Sequence, residues 1–216
     1  VFNLFAGGGG IIEPYTLGQN MAIFPGSKRM SNADLVLGGN TDRHYVLGRN
    51  LEPYRDRFDF IILDCPPALN MVTANALMAA DSFLIPVYPE YLALQGLVDL
   101  HDTVRQIQAV RSGKPYDLGI VFTRVDARVQ ATGEIVRTIR KSYEKQVFRT
   151  EVNYDVKLQE APSYGRTIFQ HARSSKARKN FESLAREFLF RAGHMEKQLE
   201  SQMELSNSVT KEFINE

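Results

Sequence analysis

A chain of 216 residues is long enough to bury a full core, and its 44% hydrophobic and 24% charged residues match globular averages. The formal charge of +1 gives no global case for a nucleic-acid or membrane partner, so any such partner has to rest on a local patch. The single cysteine, Cys65, excludes an internal disulfide and a cysteine-cluster zinc site and suits a reducing compartment, so a cytoplasmic protein is expected.

Strand-like apolar runs alternate with helix-like periods along the chain, the pattern of βαβ units and a parallel sheet. "AGGGG" (6–10) and "LGGN" (37–40) read as loops, and "MAIFPG" (21–26) as a short strand stopped by Pro-Gly. "FDFIILD" (58–64) reads as an apolar strand buried on both faces. A helix from about Thr73 to Ala80 and a third strand, "SFLIPVYP" (82–89), follow. Leu94, Leu97, Val98, Leu100, Val104 and Ile107 recur at helical spacing before the fourth strand, "DLGIVFTRV" (117–125). Ile135, Val136, Ile139 and Tyr143 do the same before a fifth, "QVFRTEV" (146–152). From Ser174 to Glu200, Phe181, Leu184, Ala185, Phe188, Ala192, Met195 and Leu199 predict one long helix with a weak point at Gly193. The organisation expected is an α/β domain over 1–193 and an acidic tail over 194–216, helical and fraying into disorder, with five Glu against two Lys. No run approaches the ~18–20 apolar residues of a membrane span, no signal-peptide pattern is present, and no fixed-period repeat appears.

Ligands of open parallel sheets bind beyond the carboxyl ends of the strands, which is where Asp64 is expected to sit. A carboxylate there can hold a magnesium ion, usually through water, and the ion neutralises nucleotide phosphates. Pro66 and Pro67 stiffen the exit from the strand and remove two amide donors. The other reading of Asp64 is a simple cap on the turn into the next helix.

The stretch "FDFIILDCPPALNMVTANALMAADSFLIPVYPEYLALQGLVDL" resembles the Walker B and switch region of ParA-type partition ATPases, deviant-Walker P-loop proteins that include the MinD-like positioning ATPases. "AIFPGSKRMSNADLVL", "GIVFTRVDAR" and "VFRTEVNYDVKLQEAPSYGRTIFQHARSSKARKNFESLAREF" are similar to further segments of that family, in order, over roughly residues 20–190. The resemblance implies a doubly wound, mostly parallel P-loop NTPase-like sheet with helices on both faces. It implies an ATP hydrolase of plasmid or chromosome partition that binds ATP with magnesium and works as a dimer. Non-specific DNA and a ParB-like centromere-binding adaptor are its implied partners, with a nucleoid-associated location and no membrane attachment. By position, Asp64 would be the catalytic carboxylate near the metal and the attacking water, and Cys65, Pro66 and Pro67 the switch that senses the γ-phosphate. Thr123, Asp126 and the turn Val152, Asn153 and Asp155 would lie near the base, although "VNYD" lacks the proline usual there. An ordinary strand-end turn is the other reading of Thr123 and Asp126.

Such an ATPase needs a glycine-rich loop with a lysine and a Ser or Thr. "AGGGGIIEPY" has the glycines without either side chain, and "FPGSKRMSN" has Gly26, Ser27 and Lys28 in the wrong order; both read as loops. Measured against the resemblance, the sequence reads as N-terminally truncated. Either it is a fragment of an intact ATPase or it is a short form. In both cases it is expected to bind ATP weakly or not at all by itself. The rival from another class is a non-catalytic ParA-derived interaction or regulatory protein. A MinD-like role is disfavoured by Glu196, Glu200 and Glu204, which suit an anionic membrane poorly.

Arg173, Lys176, Arg178 and Lys179 cluster at the start of the long helix, with Lys157 and Arg166 expected nearby. Phosphate contacts need such cations on one face, and the resemblance points the same way; a solvated helix face is the alternative. His44, His101, His171 and His194 show no metal-ligand spacing. Tyr88 and Tyr91 flank Pro89-Glu90 at a strand end, near the family's dimer contact, where packing explains them equally.

Overall fold

The computed structural model describes residues 1–6, 12–38 and 41–214. Most of "AGGGG" and the last two residues of "LGGN" lie outside the described residues, while Leu37 and Gly38 close a helix. The chain divides into two compact units, residues 1–83 with 97–116, and residues 84–96 with 117–216.

In the first unit, α1 (Phe2–Ala6), α2 (Ala33–Gly38), α3 (Val46–Leu51) and α4 (Met71–Ala79) surround Leu4, Phe5, Leu37, Leu47, Leu51 and Tyr54. Helix α4 starts where Asn70 caps it, accepting from Thr73 N at 3.1 Å, so the stiff Pro66-Pro67 exit turns into a helix only after a polar residue takes an orphan amide. It ends where Arg111 binds the carbonyls of Leu77 and Ala80 and Arg55 binds that of Ala79, cations placed at the negative end of the helix dipole. Asn75 is fully buried yet satisfied: its Nδ2 donates to Arg43 O and Met71 O, and its Oδ1 accepts from Leu47 N. Tyr54 is 2% exposed and its hydroxyl both donates to Ile12 O at 2.7 Å and accepts from Ile12 N at 2.8 Å.

The strand expected over 21–26 is reduced to β2 (Ala22–Ile23), paired antiparallel with β1 (Tyr15–Thr16). The expected third and fourth strands are β3 (Ser82–Val87) and β4 (Tyr116–Phe122), neighbours in one sheet. Tyr116 N donates to Asp81 O and Thr123 N to Val87 O, a parallel register, with the crossover made by α5 (Ala93–Val110) as its periodicity required. Val104 and Ile107 of α5 pack on Leu77 with Phe83 and Leu100 against them.

The expected buried strand over 58–64 is corrected. No strand, helix or turn is formed from Phe60 to Pro66, and Phe60, Ile61 and Ile62 are exposed. A ladder needs a neighbour on at least one side, and among the described residues none runs beside this segment.

In the second unit, α6 (Gln130–Tyr143) buries Ile139 and leads to residues 147–154. The expected fifth strand is replaced there by two isolated parallel bridges, Ile120 with Val147 and Val125 with Asn153. The amides between the bridges, Arg149 and Thr150, donate to the Glu187 carboxylate instead of to a strand. Gly119 has φ +123°, and the space a Cβ would take lies 2.0 Å from Gln146 O, so only glycine permits this approach. Short helices α7 (Val156–Glu160) and α8 (Ile168–His171) precede α9 (Lys176–Ile214), which begins close to the expected start and passes through Gly193 without a break. The acidic 194–216 stretch continues that helix as far as Ile214.

Candidate functional site

Asp64, Cys65 and Pro66 line a cleft of about 660 Å³ within the first unit. The side chain of Asp64 is exposed, so it is available to a ligand and is not consumed in capping the following helix, a task Asn70 performs. Cys65 is exposed as a residue, but desolvation of its sulfur, with the Asp64 carboxylate second, pushes its thiol pKa up and keeps it protonated at neutral pH. Pro67 follows as an exposed bend. The other walls are apolar: Leu4, Phe24, Leu47, Phe58 and the run Phe60 to Leu63.

Asp64 is one carboxylate suited to a water-bridged magnesium ion, but it is the only charged side chain among the described lining residues. A triphosphate carries several negative charges and needs amides or cations around it. Among the described residues this lining therefore does not fit a magnesium nucleotide by itself. No group of three or more His, Cys, Asp or Glu placed to hold a metal occurs among the described residues either.

The residues expected near a base gather at the carboxyl end of β4, in the second unit. Thr123 donates its N–H to Val87 O at 2.8 Å and its hydroxyl to the same carbonyl at 3.4 Å. Arg124 follows with φ 53°, its guanidinium 4.5 Å above the Tyr88 ring. Asp126 is held by Arg128, whose Nε, backbone N and terminal nitrogen all donate to it, and these bonds pull its pKa down to about 2. Val152 is 2% exposed and offers only its backbone, which donates to Phe122 O and accepts from Val125 N. Asn153 donates to the Asn180 side chain through both its backbone N and its Nδ2. Asp155 is spent on helix starts, accepting from Lys157 N at 2.9 Å and from Ala177 N at 3.0 Å. Thr123, Asp126 and Asn153 thus remain near one strand end, whereas Val152 and Asp155 serve the frame. Reading the sequence missed Arg128 and Asn180; the Asp-Ala-Arg spacing was a local signal for the first, and none existed for the second.

The basic cluster resolves into two kinds of residue. Arg173, Lys176 and Lys179 are exposed, and none of them takes part in the ion pairs described. Arg178 folds back, donating to Arg173 O at 2.6 Å and pairing with Glu182 at 2.8 Å, which leaves its buried Nε without a partner. Lys157 pairs with Glu160 at 2.9 Å, and Glu160 also meets His171 Nε2 at 3.3 Å beneath a stacked Tyr164 ring. Among the described residues no helix is long and apolar enough to cross a membrane.

A family profile described as "AAA domain" matches residues 9–114. The chain is 34% identical to the sporulation initiation inhibitor protein Soj of Bacillus subtilis over 82% of its own length and 70% of that protein's. It is 36% identical to the chromosome-partitioning ATPase Soj of Treponema pallidum, with 81% and 69% covered. The chain belongs to the ParA-type partition ATPase family. It is also 37% identical to the chromosome partitioning protein ParA of Myxococcus xanthus over 84% of this chain and 64% of that one, so the match spans about two thirds of these ParA-type relatives. In fold it resembles McdA of Cyanothece, solved as a single-substitution variant in complex with ATP, with TM-score 0.74, 20% identity, and 86% and 74% of the two chains covered. Cobyrinic acid a,c-diamide synthase of Mycobacterium smegmatis, solved with an ATP analogue and magnesium, gives TM-score 0.62 at 24% identity, with 77% and 73% covered. These likenesses show a P-loop NTPase-like α/β fold, to which the parallel β3–β4 pair belongs.

Proposed function

We propose that this protein acts in DNA partition as a ParA-type ATPase, with Asp64 facing the metal and water and Cys65 to Pro67 as the phosphate-sensing switch. The supporting observation is that Asp64 stands exposed on the wall of the cleft, one residue before the two prolines, with helix capping performed by Asn70. Thr123, Asp126 and Asn153 are the base-side residues of the same reading. The working form is a dimer that binds non-specific DNA through Arg173, Lys176 and Lys179 and answers to a centromere-binding adaptor.

Because the described cleft lining offers no cationic side chain, the chain by itself binds magnesium-ATP weakly or not at all. Calorimetric titration with magnesium-ATP tests this, and micromolar, magnesium-dependent binding refutes the weak-binding statement. A second reading, a non-catalytic interaction protein of the same descent, is favoured by that apolar lining. It predicts DNA or protein binding that nucleotide leaves unchanged.

A further inference from the structure

Tyr164 presents an aromatic ring on a firmly held turn. It closes the 3-10 turn Ala161–Tyr164, after which Gly165 reverses the chain in the left-handed region at φ 60°. Gly165 N donates to Pro162 O at 3.0 Å and Arg166 N to Ala161 O at 3.1 Å, so the backbone on both sides of the ring is pinned. The ring lies nearly parallel to that of His171, with centroids 5.0 Å apart and planes 24° apart. The His171 side chain is only 13% exposed and its Nε2 sits 3.3 Å from the Glu160 carboxylate, which gives one face of the tyrosine a fixed backing. Tyr164 is nevertheless 66% exposed, and the opposite face is left to solvent.

Cations stand around this ring. His171 ends α8, and α8 packs against both the turn and the start of α9, which Asp155 ties down by accepting from Ala177 N. Tyr164 is thereby set beside the segment that carries Arg173, Lys176 and Lys179, with Arg166 two residues along the chain. All four are exposed, and none takes part in the ion pairs described. Ser163, Gly165 and Thr167 beside the ring are exposed and small or polar, so no apolar patch suited to a protein partner surrounds it.

We propose that Tyr164 is a stacking platform for an unpaired base of single-stranded nucleic acid, whose phosphates meet the neighbouring cations. Cations by themselves attract any phosphate chain, duplex included. An exposed ring backed by a second ring adds affinity only for a base whose face is open, and in a duplex those faces are covered by neighbouring pairs. The cations are those of the DNA-binding reading above, on which this assignment rests in part; the ring is what selects an open strand.

The test uses the full chain without nucleotide at low salt. Labelled oligothymidylate, oligouridylate, an abasic strand of equal length and a duplex are titrated by fluorescence anisotropy. Tyr164→Ala is expected to weaken binding of the base-bearing strands about tenfold and to leave the abasic strand and the duplex unchanged. Tyr164→Phe, which keeps the ring, is expected to bind like wild type, whereas Tyr164→Leu, apolar without a ring, is expected to lose the same tenfold. Tighter binding of oligothymidylate assigns the strand to DNA, and of oligouridylate to RNA; either supports the platform. No measurable binding of either base-bearing strand overturns the proposal, as does an equal loss on the abasic strand or an unaltered affinity in Tyr164→Leu. Duplex retention that depends on Lys176 and Lys179 but not on Tyr164 would leave the DNA-partition reading standing even then.

Discussion

Glu187 and Arg191 stand one turn apart on α9 and between them hold the backbone of residues 145–150. Glu187 accepts from Arg149 N at 2.8 Å and Thr150 N at 2.9 Å. Arg191 donates to the carbonyls of Leu118, Lys145, Gln146 and Val147 and to Glu187 at 3.1 Å, while its guanidinium lies 4.0 Å over the Phe148 ring. Two side chains of a helix thereby serve as backbone partners for part of the run that bridges β4.

Removing either partner is therefore expected to loosen this edge. Arg191→Ala leaves several carbonyls without a donor and Glu187→Gln removes the charge from two amide bonds. Each is expected to lower stability by about 1–3 kcal/mol in urea unfolding, with the double mutant costing less than the sum. Burial works to raise the Glu187 pKa, but the amides of Arg149 and Thr150, then the Thr150 side chain and Arg191, outweigh it and leave the group below its ordinary 4.5. A carboxyl lowered in this way adds stability above its unfolded pKa and gives it up as pH falls through the folded value. The stability difference between wild type and Glu187→Gln is therefore expected to be full near neutrality and to shrink below about pH 4.5.

Gly119→Ala places a methyl 2.0 Å from Gln146 O at a φ that L-residues rarely adopt. A loss of about 3–5 kcal/mol is expected in thermal or chemical denaturation, against about 1 kcal/mol or less at Gly26, where a Cβ meets nothing within 4 Å.

Asn75→Leu keeps the branched shape and the number of side-chain heavy atoms but adds volume and strands Leu47 N and Arg43 O inside the first unit. The cost expected is about 2–4 kcal/mol, with exchange at the Leu47 amide accelerated. A substitution that left stability unchanged would show that water reaches both groups.

The Asp126 carboxyl is expected to titrate near 2 in carbon-detected NMR and to return toward the ordinary aspartate range in Arg128→Ala, because hydrogen bonds from Arg128 cause the shift. This exposed pair is expected to leave stability near neutral pH almost unaltered.

For DNA, Lys176→Glu with Lys179→Glu is expected to weaken retention and to lower the slope of log affinity against log salt by about 2, one counterion for each lost phosphate contact. Arg178→Ala is expected to affect stability more than DNA, since its guanidinium is folded onto Arg173 O and Glu182. Equal loss in both variants would mean that Arg178 also reaches phosphate.

Much of the second half of the fold is legible from local pattern. The periodicities of α5, α6 and the first part of α9 mark helices because each buries its own stripe, as Leu97 with Val104 and Ile107, or Ile139, shows. The strands β3 and β4 are legible for the same reason: each apolar run has the other beside it, joined by a crossover of the right length. The 58–64 run has the same composition but no neighbour among the described residues, and the 146–152 run keeps only isolated bridges to β4 while the amides of Arg149 and Thr150 go to a side chain about forty residues away. Hydrogen-bond partners at that distance leave no periodic trace in the sequence.

The site divides in the same way. Asp64 with Pro66 and Pro67, and the basic residues before and within α9, are readable because a carboxylate after an apolar run and a cluster of cations are chemical facts of the sequence itself. Only the tertiary structure decides that Asp64 stays exposed while Asn70 caps the helix, that Asp155 and Arg178 are spent on the frame, and that Asp126 is held by Arg128. The physical reason is that sequence sets which groups can ionise or donate, whereas packing sets which of them already have a partner.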